Sequence, residues 1–313
     1  MSGPLKYNAT VIGRADLTDT LATFLIEPDQ PPRKRPWFRA GQYCVLGLNN
    51  ETTPSLGPVR RAMSIASAPE AGGPLEFYIR YVAKPTSPNP LTHLLWEIQT
   101  GGRIYVGSKA AGAFTIDDTV GIHDSRLRVM VAGGTGVAPF VSMIRSEVCR
   151  NPIADLSKWV LLHGASYPTE LGYRQELLAL STPNGFKYYG TVSRPSEARD
   201  WTGDVGRAES FFDPDRLPEF EQRVGLAAGG FTSDSAVVFV CGLTATIRCV
   251  LVRLIDRGFI PHAKVIRDAL GVPPDVSASL FYELYDPTPV IEIDNPVVVE
   301  PLRARMQAVL ARR

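Results

Sequence analysis

The sequence predicts a β + α/β chain: an antiparallel β-barrel followed by a Rossmann-like parallel sheet. Three observations carry this. Up to about residue 120, short β-rich runs alternate with Gly/Pro/Asn/Asp clusters, the texture of a small antiparallel barrel or sandwich. After residue 125, near-continuous apolar runs alternate with helical patterns, as expected of parallel strands buried on both faces. Between the two regimes stands a Gly-rich turn, placed after an apolar strand and before a helix. The 313 residues suit two domains, expected at 1–122 and 123–285, with a C-terminal extension over 286–313.

The first half supplies six strand candidates in order: YNATVIGRADL, TLATFLIEP with apolar residues at alternate positions, QYCVLGL, AMSIAS, LEFYIRYV and RIYVGS. One helical segment interrupts them, PLTHLLWEIQ, with Leu91, Leu94, Leu95 and Ile98 on one face. In the second half LRVMVAG is a buried strand, and GGTGVAPFVSMIRSEV is the turn opening a helix. WVLLHGA is the next strand, TELGYRQELLALS reads as a helix, and FKYYGTVS and AVVFVCG are further strands. The last of these runs into a helix, TATIRCVLVRLIDRGF. The extension begins DPTPVIEIDNPVVVEP and ends in a short helix candidate, LRARMQAVLARR.

Composition excludes several classes. Hydrophobic residues make 44% and charged residues 21%, which is ordinary for a folded chain and not for a disordered one. Lys+Arg 33 against Asp+Glu 32 gives a net charge of +1, so no global field favours nucleic acid or an anionic membrane. No apolar run reaches the ~18 residues of a membrane span, and MSGPLKYNATVIG lacks a signal pattern. Cys44, Cys149, Cys241 and Cys249 match no zinc or iron–sulfur spacing and need no disulfides, so a cytoplasmic site is expected. His93, His123, His163 and His262 lie far apart, against a histidine-based metal site. The basic stretch Pro31-Pro-Arg33-Lys34-Arg35-Pro36 reads as a solvated loop, with steering of an acidic partner as the alternative.

In the Gly-rich turn, Gly133-Gly134-Thr135-Gly136-Val137-Ala138-Pro139, glycine lets the backbone approach a pyrophosphate, and the following helix N-terminus offers unpaired N–H groups. Pro139 suits a first helical turn, where a missing N–H is harmless. The second half therefore reads as a nucleotide-binding domain.

The motifs together resemble the ferredoxin–NADP reductase family. GGTGVAP is similar to its NADP-pyrophosphate turn, and Arg61-Ala62-Met63-Ser64 to its flavin motif Arg-x-Tyr-Ser. Phe38-Arg-Ala-Gly41-Gln42-Tyr43 resembles the strand start ahead of that motif, Cys241-Gly242 its Cys-Gly turn, and Glu283-Leu284-Tyr285 the Glu-x-Tyr that ends the plant-type members. Order and spacing agree over about residues 8–285, and KAAGAFTID with the run from VGLAAGG to CG looks most like the bacterial branch.

The resemblance implies an FAD-holding barrel and an NADP(H)-holding α/β domain. Hydride would pass between nicotinamide and flavin, and single electrons to or from ferredoxin or flavodoxin. It implies that Arg61 pairs with the FAD diphosphate and that Ser64 lies near the flavin N5. Met63 departs from the family tyrosine and would cover the flavin through sulfur–π contact. Tyr78, Ile79 and Arg80 would line the flavin. Thr92 would sit near the diphosphate, or serve only as a helix-start residue. Cys241, Glu283 and Ser64 would surround the nicotinamide–flavin contact, and Tyr285 would stack on the flavin face opposite Met63.

For the dinucleotide, Gly134, Thr135, Gly136 and Pro139 would hold the pyrophosphate region, Cys241 and Gly242 of the Cys-Gly turn would bind cofactor, and Ser193-Arg194 would favour NADP(H), with NAD(H) the alternative. Downstream, either Gly206-Arg207 supplies a second cation or Gly203-Asp204 sets an acidic residue there. Ser166 stands where bacterial relatives often carry arginine. Two other functions compete: an NADH-dependent reductase feeding an oxygenase through a separate iron–sulfur protein, and a non-catalytic flavin or nucleotide sensor. Monomer and homodimer stay open. The extension after Tyr285 is expected to lie across the barrel near the FAD, or else to join a second subunit, because its valines and isoleucines need burial.

Overall fold

A computed structural model describes residues 3–30, 36–181, 185–197, 200–285 and 288–312, and the chain divides into two compact units. Arg33, Lys34 and Arg35 of the basic stretch lie outside the described residues.

The first unit takes in residues 1–118 and 138–154. Its strands are β1 (Ala9–Thr18), β2 (Leu21–Pro28), β3 (Tyr43–Asn49), β4 (Pro58–Ser64), β5 (Leu75–Arg80) and β6 (Arg103–Val106). They form one sheet in the order β4-β3-β6-β1-β2-β5, and neighbouring strands pair antiparallel. β1 and β2 make a tight hairpin in which Thr18 faces Leu21. The two edges meet: Ile65, just past β4, bridges Phe77 of β5, and the Ala66 N–H donates to the Glu76 carbonyl at 2.8 Å. That closure removes the open edges a flat sheet would expose. Inside lie Phe24, Phe77, Leu46, Ile26 and Ile104, all fully shielded, from the apolar positions of the strands. Helix α1 (Leu91–Glu97) buries Leu91 and Leu95 against the same core. A single-turn helix, α2 (Ile116–Thr119), follows the barrel strands. Helix α3 (Ala138–Arg150) is counted with this unit, and its Ser142 hydroxyl donates to the Ser67 carbonyl at 2.7 Å.

The second unit takes in residues 119–137 and 155–313. Its strands are β7 (Leu127–Gly133), β8 (Trp159–Ala165), β9 (Lys187–Val192), β10 (Asp204–Val205), β11 (Ala236–Gly242) and β12 (Leu280–Leu284). All pair in parallel, in the order β10-β9-β8-β7-β11-β12. The order reverses between β7 and β11, and a doubly wound sheet binds its ligand in the crevice at such a switch point. Its helices are α4 (Arg174–Ala179), α5 (Leu217–Arg223), α6 (Thr244–Leu254), α7 (Lys264–Leu270) and α8 (Pro296–Leu310).

Two expectations are corrected. TELGYRQELLALS is not one helix: a 3-10 turn at Pro168–Glu170 is separated from α4 by Tyr173, whose φ of 63° is left-handed and cannot continue an α-helix. Val290, Ile291, Val299, Leu302 and Met306 belong to the core of the second unit. The valines of PVVVEP are helical, not extended: the Asn295 side chain accepts from the Val297 N–H at 3.1 Å, and Pro296 opens α8. Cap, first-turn proline and burial of Val299 outweigh the β preference of valine. Arg248 of α6 donates to the carbonyls of Val290 at 2.7 Å and Pro289 at 3.2 Å, and Arg305 of α8 pairs with Asp256 at 2.7 Å.

Candidate active site

Two groups of candidate residues assemble, one in each unit. In the barrel, Arg61, Ala62, Met63 and Ser64 occupy the end of β4, and Tyr78, Ile79 and Arg80 the end of β5. The Ile65–Phe77 bridge makes Ser64 and Tyr78 the adjoining residues of the two strands. Tyr78 and Ile79 are buried, Arg61 and Ala62 are exposed, and Met63 is half-buried against the barrel core opposite Cys44. Arg61 donates from Nη1 to the Arg60 carbonyl at 2.8 Å, and among the described residues it has no carboxylate partner. It is a cation on an exposed strand with its charge uncommitted, as a diphosphate requires. Thr92 stands at the start of α1, where its hydroxyl accepts from the Val82 N–H at 3.4 Å. Beside it the rings of Tyr81 and His93 stack at 4.4 Å.

In the second unit the switch point is built by two glycine turns pressed together. β7 ends at Gly133, a 3-10 turn spans Gly134–Val137, and Pro139 is the second residue of α3. Gly134 has φ 55°, and a Cβ there would stand in open space. That combination fits a pyrophosphate: the conformation favours glycine and nothing blocks approach from that side. Gly136 has the opposite constraint, for its Cβ would lie 2.0 Å from the Cys241 carbonyl oxygen. Gly242, at φ 151°, would put a Cβ 3.1 Å from the Gly133 backbone.

Around this seam stand three of the four proposed catalytic residues. Cys241 is opposite Glu283 in the β11–β12 register. Its thiol donates to the Tyr285 hydroxyl at 3.2 Å, and that hydroxyl donates to the Thr135 carbonyl at 3.3 Å. Burial, and then the charge of Glu283, push the Cys241 thiol well up, while the Tyr285 hydroxyl acts the other way. Cys241 therefore stays a neutral thiol at neutral pH, a small soft surface and not an anionic nucleophile. Tyr285 is 46% exposed. The fourth residue, Ser64, is on the barrel.

Ser193 and Arg194 follow β9 and are exposed. The Arg194 Nη1 donates to the Tyr167 hydroxyl at 2.8 Å, and its guanidinium lies 5.6 Å from that ring's centroid. The Tyr167 hydrogen bond raises the Arg194 pKa first of all, with Glu197 and Glu170 adding to it. Asp204 opens β10, and its carboxylate is held by Arg223 at 2.7 and 2.8 Å, with Arg216 at 3.8 Å. Arg207 follows that strand and is exposed. The Ser166 N–H donates to the Glu170 carboxylate at 3.1 Å. Tyr167 and Arg223 carry no motif, which is why sequence reasoning passed over them.

Among the described residues no group of three or more His, Cys, Asp or Glu could hold a metal ion, and no helix is long and apolar enough to cross a membrane.

Known proteins are similar to this chain. Residues 130–251 match the family model of an oxidoreductase NAD-binding domain. A flavodoxin/ferredoxin–NADP reductase of Rhodobacter capsulatus is 30% identical over 194 residues, which is 59% of this chain and 65% of that protein. Ferredoxin–NADP reductase B of Sorangium cellulosum is 31% identical over 223 residues, 71% of this chain and 80% of that one. A crystal structure of a ferredoxin NADP+ reductase from Neisseria gonorrhoeae with bound FAD and NADP superposes with a TM-score of 0.69. It covers 90% of this chain and 100% of that one at 23% identity, a likeness of fold.

Proposed function

We propose that this chain, which belongs to the ferredoxin–NADP reductase family, is an FAD-dependent oxidoreductase that exchanges hydride with NADP(H) and single electrons with ferredoxin or flavodoxin. The observation that carries the reading is the seam of Gly134–Gly136 against Cys241-Gly242 at the switch point, with the Tyr285 hydroxyl joining Cys241 to Thr135. A bound FAD supplies the chemistry, because a flavin takes two electrons together and releases them singly.

The chain's own residues bind and orient. Arg61 holds the diphosphate on the barrel, with Tyr78, Ile79 and Arg80 lining the flavin, and Ser64 attends its polar edge. The Gly134–Val137 turn takes the dinucleotide pyrophosphate on its N–H groups. Cys241 presents a neutral thiol to the nicotinamide, Glu283 stands beside it to hold or pass a proton, and Tyr285 is displaced when the nicotinamide enters. Arg194, and Arg207 beyond β10, face the 2′-phosphate. Free thiols at all four cysteines suit a cytoplasmic place.

A second reading, an NADH-dependent reductase that serves an oxygenase through a separate iron–sulfur carrier, is favoured by Asp204 at β10 and Ser166 after β8. One experiment tests both. Purified protein should be yellow with an FAD spectrum, and NADPH should reduce a ferredoxin-coupled dye faster than NADH does. A colourless protein after reconstitution with FAD sinks both readings, and faster turnover with NADH selects the second.

A further inference from the structure

Tyr285 stands between two points at which the chain is fixed, and both points lie on the segment from β11 into α6. On its N-terminal side β12 is laddered to β11: Glu283 pairs with Cys241 and Leu284 with Gly242. On its C-terminal side Arg248, the fifth residue of α6, donates from Nε to the Val290 carbonyl at 2.7 Å and from Nη2 to the Pro289 carbonyl at 3.2 Å. Among the described residues Arg248 pairs with no carboxylate, so its guanidinium is committed to the main chain of the extension. Val290 and Ile291 are buried in one core with Ile247, Val250 and Leu251 of α6. Between the last laddered residue and the first held carbonyl stand Tyr285, Asp286, Pro287 and Thr288. Asp286 and Pro287 lie outside the described residues.

Within this short span the Tyr285 hydroxyl accepts from the Cys241 thiol at 3.2 Å and donates to the Thr135 carbonyl at 3.3 Å. A nicotinamide that is to meet the thiol has to take the tyrosine off it. A side chain can leave by rotating about its own bonds or by moving with its main chain. Fixing the chain on both sides removes the second route, because lifting it breaks either a ladder pair or the Arg248 bonds. The state with Cys241 uncovered is thereby less populated. A ligand that binds only that state loses affinity in proportion to the populated fraction.

We propose that Arg248 is a positioning residue for Tyr285: by tying the chain just beyond the tyrosine to α6, it keeps the hydroxyl on Cys241 and sets how readily a nicotinamide reaches the thiol. Arg248 itself touches no ligand. The proposal rests on the reading of Cys241 as the nicotinamide contact. Its effect belongs to the nicotinamide end of the dinucleotide alone, since the tie acts on the residue that covers Cys241.

Titration calorimetry of the FAD-loaded protein tests this with NADP+, NAD+ and adenosine 2′,5′-bisphosphate, which has no nicotinamide. Arg248→Ala should bind both dinucleotides about fivefold more tightly than wild type, and the bisphosphate within about twofold of wild type. Arg248→Lys, whose ammonium can hold one carbonyl, should fall between. Tyr285→Ala should tighten both dinucleotides about tenfold, and adding Arg248→Ala to it should change them by less than about twofold, because the residue being held is gone. A merely structural role would move the bisphosphate too, or act with Tyr285 absent. Wild-type dinucleotide affinity in Arg248→Ala, an equal shift for the bisphosphate, or the same shift in the Tyr285→Ala background overturns the proposal. Should Arg248→Ala fail to fold, Arg248→Lys carries the same comparisons at about threefold. If Tyr285→Ala leaves dinucleotide binding unchanged, the reading of Cys241 as the nicotinamide contact fails, and the proposal with it. If Tyr285→Ala tightens binding and Arg248→Ala does not, that reading stands and the tie alone is overturned.

Discussion

Arg194 shows how a residue named from a motif gains content from its surroundings. Its guanidinium is held by the Tyr167 hydroxyl while staying exposed, so little reorganisation stands between it and a phosphate. Arg194→Ala should raise KM for NADPH by roughly ten- to a hundredfold, since a charged hydrogen bond to the phosphate would be lost, and leave KM for NADH nearly unchanged. Equal effects on both cofactors would remove Arg194 from the 2′-phosphate. His163 makes a different prediction, in pH. Its folded pKa of about 4 lies below its ordinary 6.5. As pH falls through 6.5 the unfolded chain takes up a proton that the folded chain refuses until near 4. Its contribution is intact above about pH 6.5, is lost progressively down to about pH 4, and reaches about 3 kcal/mol there, by the conversion of ~1.4 kcal/mol per unit. Burial lowers His262 also, in the same direction, so the readout is a difference. Urea midpoints at pH 7.5 and 4.5 should fall less for His163→Gln than for wild type; parallel falls would assign the loss elsewhere. Arg194 could be singled out in the sequence because Val-Ser-Arg follows an apolar strand. His163 could not: a single histidine inside WVLLHGA has no periodicity and no second ligand nearby, and only the fold buries it between Ala132 of β7 and Gly190 of β9.

The Gly134–Val137 turn combines two glycines with opposite reasons for being glycine. At Gly136 a methyl group would meet the backbone of Cys241 at 2.0 and 2.5 Å, and Cys241 is held in the β11 ladder beside Ala132 of β7. Gly136→Ala should therefore cost about 3 kcal/mol or more, the upper end of overpacking penalties. At Gly134 the space is free and only φ 55° opposes a side chain, so Gly134→Ala should cost about 1 kcal/mol. Denaturant unfolding of the two variants gives the ranking; equal losses would mean that the seam between β7 and β11 is looser than its geometry. These strands were readable as unbroken apolar runs, LRVMVAG and AVVFVCG, because burial on both faces leaves no polar alternation. Other elements were not readable. β10 is two residues long and has no period. α4 is cut short by a left-handed tyrosine, whose identity carries no turn signal of the kind glycine or asparagine would give. The valines of α8 have a strand's composition, and only the Asn295-Pro296 pair at its start marks a helix.

For the whole molecule, the decisive point is where residues 286–313 belong. The core of the nucleotide-binding unit is continuous from the strands through α6 and α7 into the extension, where Val290, Ile291, Val299, Leu302 and Met306 are all at most 6% exposed. Polar contacts run the same way, from Arg248 to the Val290 carbonyl, from Arg305 to Asp256, and from Gln307 to the carbonyls of Leu270 and Gly271. Burial of each such apolar side chain contributes about 1.5–3 kcal/mol, so these five contribute roughly 10 kcal/mol before the entropy of ordering them is subtracted. That is comparable with the entire net stability of a typical domain, about 5–15 kcal/mol. Truncation after Tyr285 should then strip a core wall and not a shield: the nucleotide-binding unit should melt at least about 10 °C lower or lose its cooperative transition. The barrel core is built from side chains of the first unit, such as Phe24, Phe77 and Ile104, so the aromatic signal of that unit's Trp37 and Trp96 should survive to higher temperature. Arg248→Ala, which frees two carbonyls of the extension without opening the core, should lower the melting temperature by only a few degrees. Thermal unfolding followed by circular dichroism and tryptophan emission separates these outcomes. A truncated chain that melts within about 2 °C of the full one would show that the extension is an accessory, and that the sheet with α6 and α7 closes its core alone.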